Sequence, residues 1–299
     1  MQNKPPKRPG DRKDAYLVRD ADPMHSIMSR LLGGRPENEA VMSDRVELTA
    51  AEEYLARRNA ENPEYKYTLF HLICAAVAKT VALRPKMNRF MKDKKLFERE
   101  DISISFVAKN KFSDSGSESL VIWKVDESEE AKSPIEQAHD CVCRAVYKIR
   151  TEKKTDDTTG IINRLTRLPD FLFTLAVAII RRLDRKGRLP AAFRSANPYD
   201  TSVFLSNLGS IKMSASYHHL SDFGTNSVFA IIGKKDLYPY FQADGSCEMR
   251  EAVELGITVD ERIADGFYFA GSVRLLNYLL RHPALLEQPL YTPVSWEEI

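Results

Sequence analysis

Apolar residues repeat at helical spacing in the first half of the chain. The longest run extends from Leu69 to Leu83 and ends before Pro85, because the residue preceding a proline avoids the helical region. Residues 49–52 (Thr-Ala-Ala-Glu) and 133–136 (Ser-Pro-Ile-Glu) match capping boxes, in which side chains satisfy free backbone N–H groups at a helix start. The pattern therefore predicts a short helix to about Asn59, the helix 69–83, and a third helix through Ile149.

Strand patterns dominate the rest of the chain. Apolar and polar residues alternate from Asp101 to Ala108, which is typical of a strand with one buried face, and residues 119–125 are its predicted partner. Further strands are predicted over 202–206, 227–233 and 253–260, with Asp244-Gly245 as a turn between the last two. A final helix over 267–281 is predicted to present Ala270, Val273, Leu276 and Leu280 on one face. Helices early and strands late indicate the α+β class with a mixed or antiparallel sheet.

The composition is that of an ordinary globular protein. Of 299 residues, 43% are hydrophobic and 29% are charged, and 44 basic against 42 acidic side chains leave a net charge of +2. This balance excludes bulk disorder and a polycationic tail, so no nucleic-acid partner is expected. The four cysteines form no Cys-x-x-Cys pair, so we expect no metal site and a reduced, cytoplasmic protein.

The amino-terminal residues and the most apolar segment indicate how the chain is organised into domains. Residues 1–20 are polar and contain three prolines, which predicts a flexible basic arm before a single domain over 21–299. No apolar segment near the start could serve as a signal sequence, so secretion is not expected. The apolar segment 171–180 is 10 residues long, whereas a transmembrane helix needs about 20.

Three motifs, read in order along the chain, carry a resemblance to a known family. They are residues 84–88 (Arg-Pro-Lys-Met-Asn) at a helix end, Ser206-Asn207-Leu208-Gly209 at a strand end, and Asp260-Glu261-Arg262 with Asp265-Gly266 before the last helix. Together they resemble the catalytic domain of the 2-oxo acid dehydrogenase dihydrolipoamide acyltransferases, which shares its fold with chloramphenicol acetyltransferase. That family carries His-Pro-x-x-Asn, Thr-Ile-Ser-Asn-Leu-Gly and Asp-His-Arg-x-x-Asp-Gly at these places, so Glu261 replaces the histidine.

The resemblance implies a coenzyme A-dependent acyltransferase of the chloramphenicol acetyltransferase-like fold, with a mixed sheet flanked by helices. It implies that Ser206 holds the oxyanion, supported by Asn207 and Gly209, and that Asp260, Arg262, Asp265 and Gly266 order the loop of Glu261. It also implies a homotrimer, or a larger assembly of trimers, with the active site at a subunit boundary. We expect a free-standing unit, because no lipoyl or subunit-binding domain precedes residue 21, and a helical insertion over 155–198.

The identity of the base stays open. A glutamate pKa of about 4.3 lies roughly 4 units below that of a thiol, so proton transfer is uphill by about 5.7 kcal/mol unless burial raises the glutamate pKa. His218 or His219 could serve instead, with Asp222 orienting one ring, although on an extended segment the two would point to opposite faces. The chloramphenicol acetyltransferase signature His-His-x-x-x-Asp-Gly is not matched, because Phe223 stands at the aspartate position. The alternative function is an impaired or inactive trimer that binds an acyl-thioester or a partner protein as a scaffold.

A basic cluster follows the apolar segment. It consists of Arg181, Arg182, Arg185, Lys186, Arg188 and Arg194, interrupted only by Asp184. Three interpretations remain: attraction of the coenzyme A phosphates, peripheral contact with an anionic membrane through residues 171–188, or a solvated helix end whose charge suits the macrodipole.

Overall fold

The computed structural model describes residues 5–109, 118–152, 165–190, 193–194 and 197–296. Within these ranges the chain forms a mixed six-stranded sheet with helices against it and a separate sheet of three strands. The predicted α+β class with a mixed sheet is confirmed.

The helices along the described ranges are α1 (Pro23–Leu31), α2 (Thr49–Ala60), α3 (Leu69–Leu83), α4 (Pro134–Glu152), α5 (Asp170–Arg185) and α6 (Gly266–Arg281). The strands there are β1 (Ala15–Leu17), β2 (Glu39–Glu47), β3 (Arg89–Lys92), β4 (Lys95–Arg99), β5 (Ser103–Lys109), β6 (Glu118–Lys124), β7 (Val203–Asn207), β8 (Val228–Phe241) and β9 (Cys247–Asp260). None of these described helices is both long and apolar enough to span a bilayer.

The large sheet has the strand order β2-β9-β8-β7-β5-β6. β7 runs parallel to both of its neighbours, and the other adjacent strands are antiparallel. One face of this sheet forms the main core with α3, α4 and α6. The other face carries a smaller cluster, in which Phe204, Phe229 and Ile231 pack against Leu220. β7 is therefore an interior strand with buried side chains on both faces of the sheet.

The predicted helices are present, but two details of the prediction are wrong. α2 begins at Thr49, yet Leu48 is its N-cap and the Thr49 hydroxyl donates to the Glu47 carboxylate. On α6, Ala270 is exposed and Phe269 is buried. Apolar residues occupy more than one face of α6, so periodicity alone could not identify the face that packs against α3.

The long hairpin of β8 and β9 exceeds its predicted length. Each strand has 14 residues, and the turn contains Asp244-Gly245 as predicted, with Gly245 at a φ of +83°. The halves of both strands nearer the turn are largely exposed, so no hydrophobic pattern marked them. β2 and the small sheet of β1, β4 and β3 were not predicted at all.

Part of the predicted amino-terminal arm belongs to the small sheet. β1 pairs with β4, Ala15 is fully buried, and the buried Arg12 guanidinium contacts Asp14 at 3.0 Å. Arg12 also lies over the Phe90 ring, with 5.3 Å to its centroid. The polar composition predicted an arm here, because the sequence does not show that Arg12 pairs with Asp14 and packs on the Phe90 ring. The predicted insertion 155–198 includes α5, and its residues 155–164, 191–192 and 195–196 lie outside the described ranges.

A chain segment after β7, which we call the crossing segment (residues 209–216), lies flat across β8 and β9. It can do so because glycines face it: a Cβ on Gly233 would overlap the backbone of Ala215, and one on Gly256 would overlap the carbonyl of Ser216. Gly209 has the same constraint against the Gly233 carbonyl. The Lys234 N–H donates to the Met213 carbonyl at 2.7 Å. The crossing segment is therefore fixed to the sheet by its backbone.

α3 starts with a capping box whose buried member, His71, makes stability depend on pH. The Thr68 N–H donates to His71 Nδ1 at 2.9 Å, and burial lowers the pKa of His71 to about 4, with the nearby His139 adding to the effect. A histidine with a lowered pKa binds its proton less readily in the folded state, so its contribution is complete above pH 6.5 and is lost as the pH falls towards 4. Between these values we expect the wild-type free energy of unfolding to fall by about 3 kcal/mol more than that of His71→Gln. Denaturant titrations at both pH values check this, and parallel pH profiles for the two proteins would contradict it.

Candidate active site

Ser206 lies near the carboxyl end of β7 and borders a cleft of about 250 Å³. Apolar residues of α3, α4 and β5 form much of the cleft, with Ser206, Asn207 and Ser210 among its polar residues. The basic residue Lys109 also lines it. Ser206 is half-buried, and no described residue hydrogen-bonds its hydroxyl. Ser206 therefore borders an apolar recess and has no hydrogen-bond partner for its O–H group among the described residues. By strand alternation its side chain lies on the face of Phe204, opposite the face that packs against α3 and α4.

Asn207 and Gly209 form the turn that ends β7. The Asn207 side chain accepts from the Ser210 N–H at 3.2 Å, and the Ser210 hydroxyl donates to the Asn207 carbonyl at 2.7 Å. Gly209 allows this turn to lie against the Gly233 backbone. Both residues therefore hold the backbone that carries Ser206, and neither has a reactive group of its own.

His218 lies on the same face of the sheet as Ser206. Its ring stacks on Phe229 at a centroid distance of 4.3 Å, and Phe229 pairs with Phe204, two residues before Ser206. The diagonal Cα separation of Phe229 and Ser206 is about 8 Å, and no hydrogen bond joins His218 to Ser206 among the described residues.

Two expectations about this histidine pair are wrong. The rings of His218 and His219 stack with centroids 4.6 Å apart instead of pointing to opposite faces, because residues 213–220 are not in a strand. His218 Nδ1 lies 2.7 Å from the His219 carbonyl oxygen. Asp222 orients neither ring: its carboxylate accepts from the Arg35 N–H at 2.8 Å.

The loop after β9 is built on a buried ion pair. Asp260 is fully buried and accepts two hydrogen bonds from the Arg262 guanidinium, each 2.8 Å long. A second buried arginine, Arg35, approaches Asp260 at 3.7 Å and donates to the carbonyls of Ser221 and Met91. Burial lowers the pKa of Arg35, and the negative charge of Asp260 opposes that shift. This cluster fixes the loop to the body of the domain.

Asp265 and Gly266 begin α6. The Asp265 carboxylate accepts from the Tyr268 N–H at 2.9 Å, which lowers the aspartate pKa and makes Asp265 the N-cap. Gly266 is exposed, and a Cβ at this position would meet no described atom within 4 Å. Glu261 is half-buried, and its N–H donates to the Asn38 carbonyl at 2.9 Å. None of the described residues hydrogen-bonds the Glu261 carboxylate.

Strand register separates the two halves of the predicted site within one chain. Ser206 pairs with Ile231, Ile231 pairs with Gly256, and Asp260 lies four residues further along β9. Ser206 and Asp260 are therefore separated by two strand spacings across the sheet and four residues along β9, a distance of roughly 17 Å. Ser206, Asn207 and Gly209 are thus at one end of these strands, and the loop of Glu261 and Asp265 is at the other. His218, stacked on Phe229, lies between the two ends.

Arg35 supports this loop, but its role could not be predicted from the sequence. An arginine in a polar stretch between Gly34 and Pro36 has no pattern that indicates burial, and its partners Asp260 and Ser221 are distant in sequence. Lys92, buried against Asp184, was missed for the same reason. Among the described residues, no group of three or more His, Cys, Asp or Glu side chains could hold a metal ion.

Solved structures of known proteins share this fold. A probable dihydrolipoamide acetyltransferase from Listeria monocytogenes superposes with a TM-score of 0.57 and 16% identity, over 94% of this chain and 95% of that one. A dihydrolipoamide acetyltransferase from Azotobacter vinelandii gives 0.56 and 15% identity, over 95% and 99% of the two chains. The cubic core of a pyruvate dehydrogenase multienzyme complex gives 0.57 and 14%, over 95% and 99%.

These similarities establish the fold. No protein-family model and no curated protein sequence matches the chain. The predicted resemblance, based on three short motifs, is confirmed at the level of the catalytic-domain fold of dihydrolipoamide acetyltransferases.

Proposed function

We propose that this chain, which has the fold of dihydrolipoamide acetyltransferase catalytic domains, transfers an acyl group from coenzyme A to an acceptor. The proposal rests on Ser206, whose hydroxyl has no hydrogen-bond partner among the described residues and which borders an apolar recess. A free hydroxyl can donate to the oxyanion of a tetrahedral intermediate, and an apolar recess suits an acyl chain.

The proposed site is shared between copies of the chain. Ser206 and the Glu261 loop are too far apart to act together within one chain, so a second copy would supply the loop. An assembly of trimers is consistent with a similar structure that forms a cubic core. For the similar Azotobacter enzyme, a serine, a histidine and an asparagine are named in the catalytic mechanism. The histidine and asparagine are four positions apart, as Glu261 and Asp265 are.

In the proposed reaction the acceptor thiol attacks the thioester carbonyl and coenzyme A leaves as a thiol. The thiol proton passes to a base, the carbonyl oxygen gains negative charge, and Ser206 donates a hydrogen bond to it. Glu261 is the base proposed from position, and His218 is the alternative on the face of Ser206. Return of the proton to the departing thiolate restores the base.

A release assay tests the proposal and its alternative together. Acetyl-coenzyme A is supplied with a panel of thiol, amine and hydroxyl acceptors, and free coenzyme A is measured. We expect transfer to at least one acceptor, and a Glu261→His variant that is up to roughly 100-fold faster, because histidine lies about 2 pKa units closer to a thiol. Transfer by the histidine variant alone would favour the scaffold function, and transfer by neither protein would refute the acyltransferase proposal.

A further inference from the structure

α5 exposes apolar side chains on the side that faces solvent. Phe171, Leu175 and Ile179 are 71%, 56% and 50% exposed. With Leu172 they form what we call the apolar stripe, which spans an arc of about 100° around the helix. Leu168, just before the helix, is also exposed. The opposite side of α5, which includes Phe173, Val177 and Ile180, is half-buried. The helix therefore carries a second apolar face that the described chain does not cover.

Basic side chains continue the apolar stripe at the carboxyl end of the helix. Arg182 and Lys186 lie three and seven residues beyond Ile179, on the same line of the helix, and Arg181 and Arg185 lie beside them. All four side chains are exposed. An adjoining cleft adds the basic residues Lys13, Lys95 and Arg188 and the acidic residues Asp11 and Asp93.

The one acid within the basic run does not neutralise it. Asp184 is buried and forms an ion pair with Lys92, and its carboxylate also accepts from the Gly224 N–H at 3.3 Å. Its backbone carbonyl accepts from Arg12 at 3.4 Å. These contacts anchor the end of α5 to the domain, so the apolar stripe and the basic residues face outwards in a fixed orientation.

We propose that α5 binds the surface of an anionic lipid bilayer. A helix with an exposed apolar face and a cluster of arginine and lysine residues is suited to lie in the plane of a membrane, with its apolar side chains among the acyl chains. The basic end would contact anionic headgroups, and each such residue strengthens binding about fivefold. Coenzyme A could use the charges, but it has no apolar surface to cover a stripe of this length. This proposal is independent of acyl transfer.

Vesicle sedimentation of the full chain tests the proposal. The probes are vesicles of phosphatidylcholine alone and of equal parts phosphatidylcholine and phosphatidylglycerol, each at low and high salt. We expect binding to the anionic vesicles, weakened by salt, and at least tenfold weaker binding to the neutral ones. A Phe171→Ser/Leu175→Ser variant should bind at least tenfold more weakly, and Arg181→Gln/Arg185→Gln roughly 25-fold more weakly.

A matched control separates the apolar stripe from exposed apolar residues in general. Phe241, at the end of β8, is 75% exposed, comparable with Phe171. Phe241→Ser should leave vesicle binding unchanged. Equal binding to both kinds of vesicle, or no loss in either double variant, would overturn the proposal. Absence of vesicle binding combined with a smaller assembly for Phe171→Ser/Leu175→Ser would also overturn it, and would show that the apolar stripe joins copies of the chain.

Discussion

Replacing Ser206 with alanine is expected to lower kcat for acyl transfer by about 100- to 1,000-fold, the usual effect of removing one oxyanion donor. The KM for acetyl-coenzyme A should change little, because the hydrogen bond strengthens only as negative charge develops on the carbonyl oxygen. Steady-state kinetics with the best acceptor from the release assay measures both quantities.

Ser210 provides the control for this variant. It borders the same cleft, but its hydroxyl donates to the Asn207 carbonyl and is therefore engaged in the turn. Ser210→Ala should keep kcat close to that of the wild type. If Ser206→Ala and Ser210→Ala transfer equally fast, Ser206 does not hold the oxyanion.

Replacing Asp260 with alanine is expected to lower the free energy of unfolding by about 3–5 kcal/mol. The carboxylate is fully buried between Arg262 and Arg35, and its removal leaves two buried guanidinium groups without their counter-charge. Urea titration at neutral pH measures the change. The activity of any Asp260→Ala protein that folds should also fall, because the loop of Glu261 loses its attachment.

An exposed ion pair on the same pair of strands is the matched control. Arg45 on β2 contacts Glu254 on β9 at 3.0 Å, with the two side chains 42% and 33% exposed. Glu254→Ala should change the free energy of unfolding by less than about 1 kcal/mol, because solvent screens such pairs. It leaves Arg45 over the Tyr238 ring, with 3.8 Å to the centroid. Similar losses for Asp260→Ala and Glu254→Ala would mean that burial does not determine how much the Asp260 ion pair contributes to stability.

Local patterns predicted the elements that bury a continuous apolar face. The helix 69–83 was predicted to the residue, because an apolar run and a following proline determine its bounds. β1 and β2 were not predicted, because their partners β4 and β9 lie far along the chain. The hairpin of β3 and β4 was not predicted, because its strands mix apolar and charged residues and its turn, Asp93-Lys94, contains no glycine. The halves of β8 and β9 nearer the turn pair with each other and are largely exposed, so neither strand shows an apolar–polar alternation there that would have predicted it.

The sequence proposed residues for a candidate site but did not predict how they are arranged. The motifs suggested that Ser206 and the Glu261 loop form one site. The pairing of β7 with β8 and of β8 with β9 shows that within one chain they lie at opposite ends of these strands. The stacking of His218 on Phe229 could not be predicted either, since it depends on a loop that crosses two strands.

The crossing segment has a consequence for how this protein tolerates sequence change. Its route over β8 and β9 depends on three missing side chains, at Gly209, Gly233 and Gly256, and its exposed side chains point away from the sheet. Met213 and Ser214, whose side chains are exposed, can therefore be replaced without altering its path, whereas Ser210 holds the turn after β7 and Lys212 has a positive φ. A single methyl group at any of the three glycines would displace the crossing segment from the sheet and change the mouth of the cleft, which Ser210 and Ile211 line.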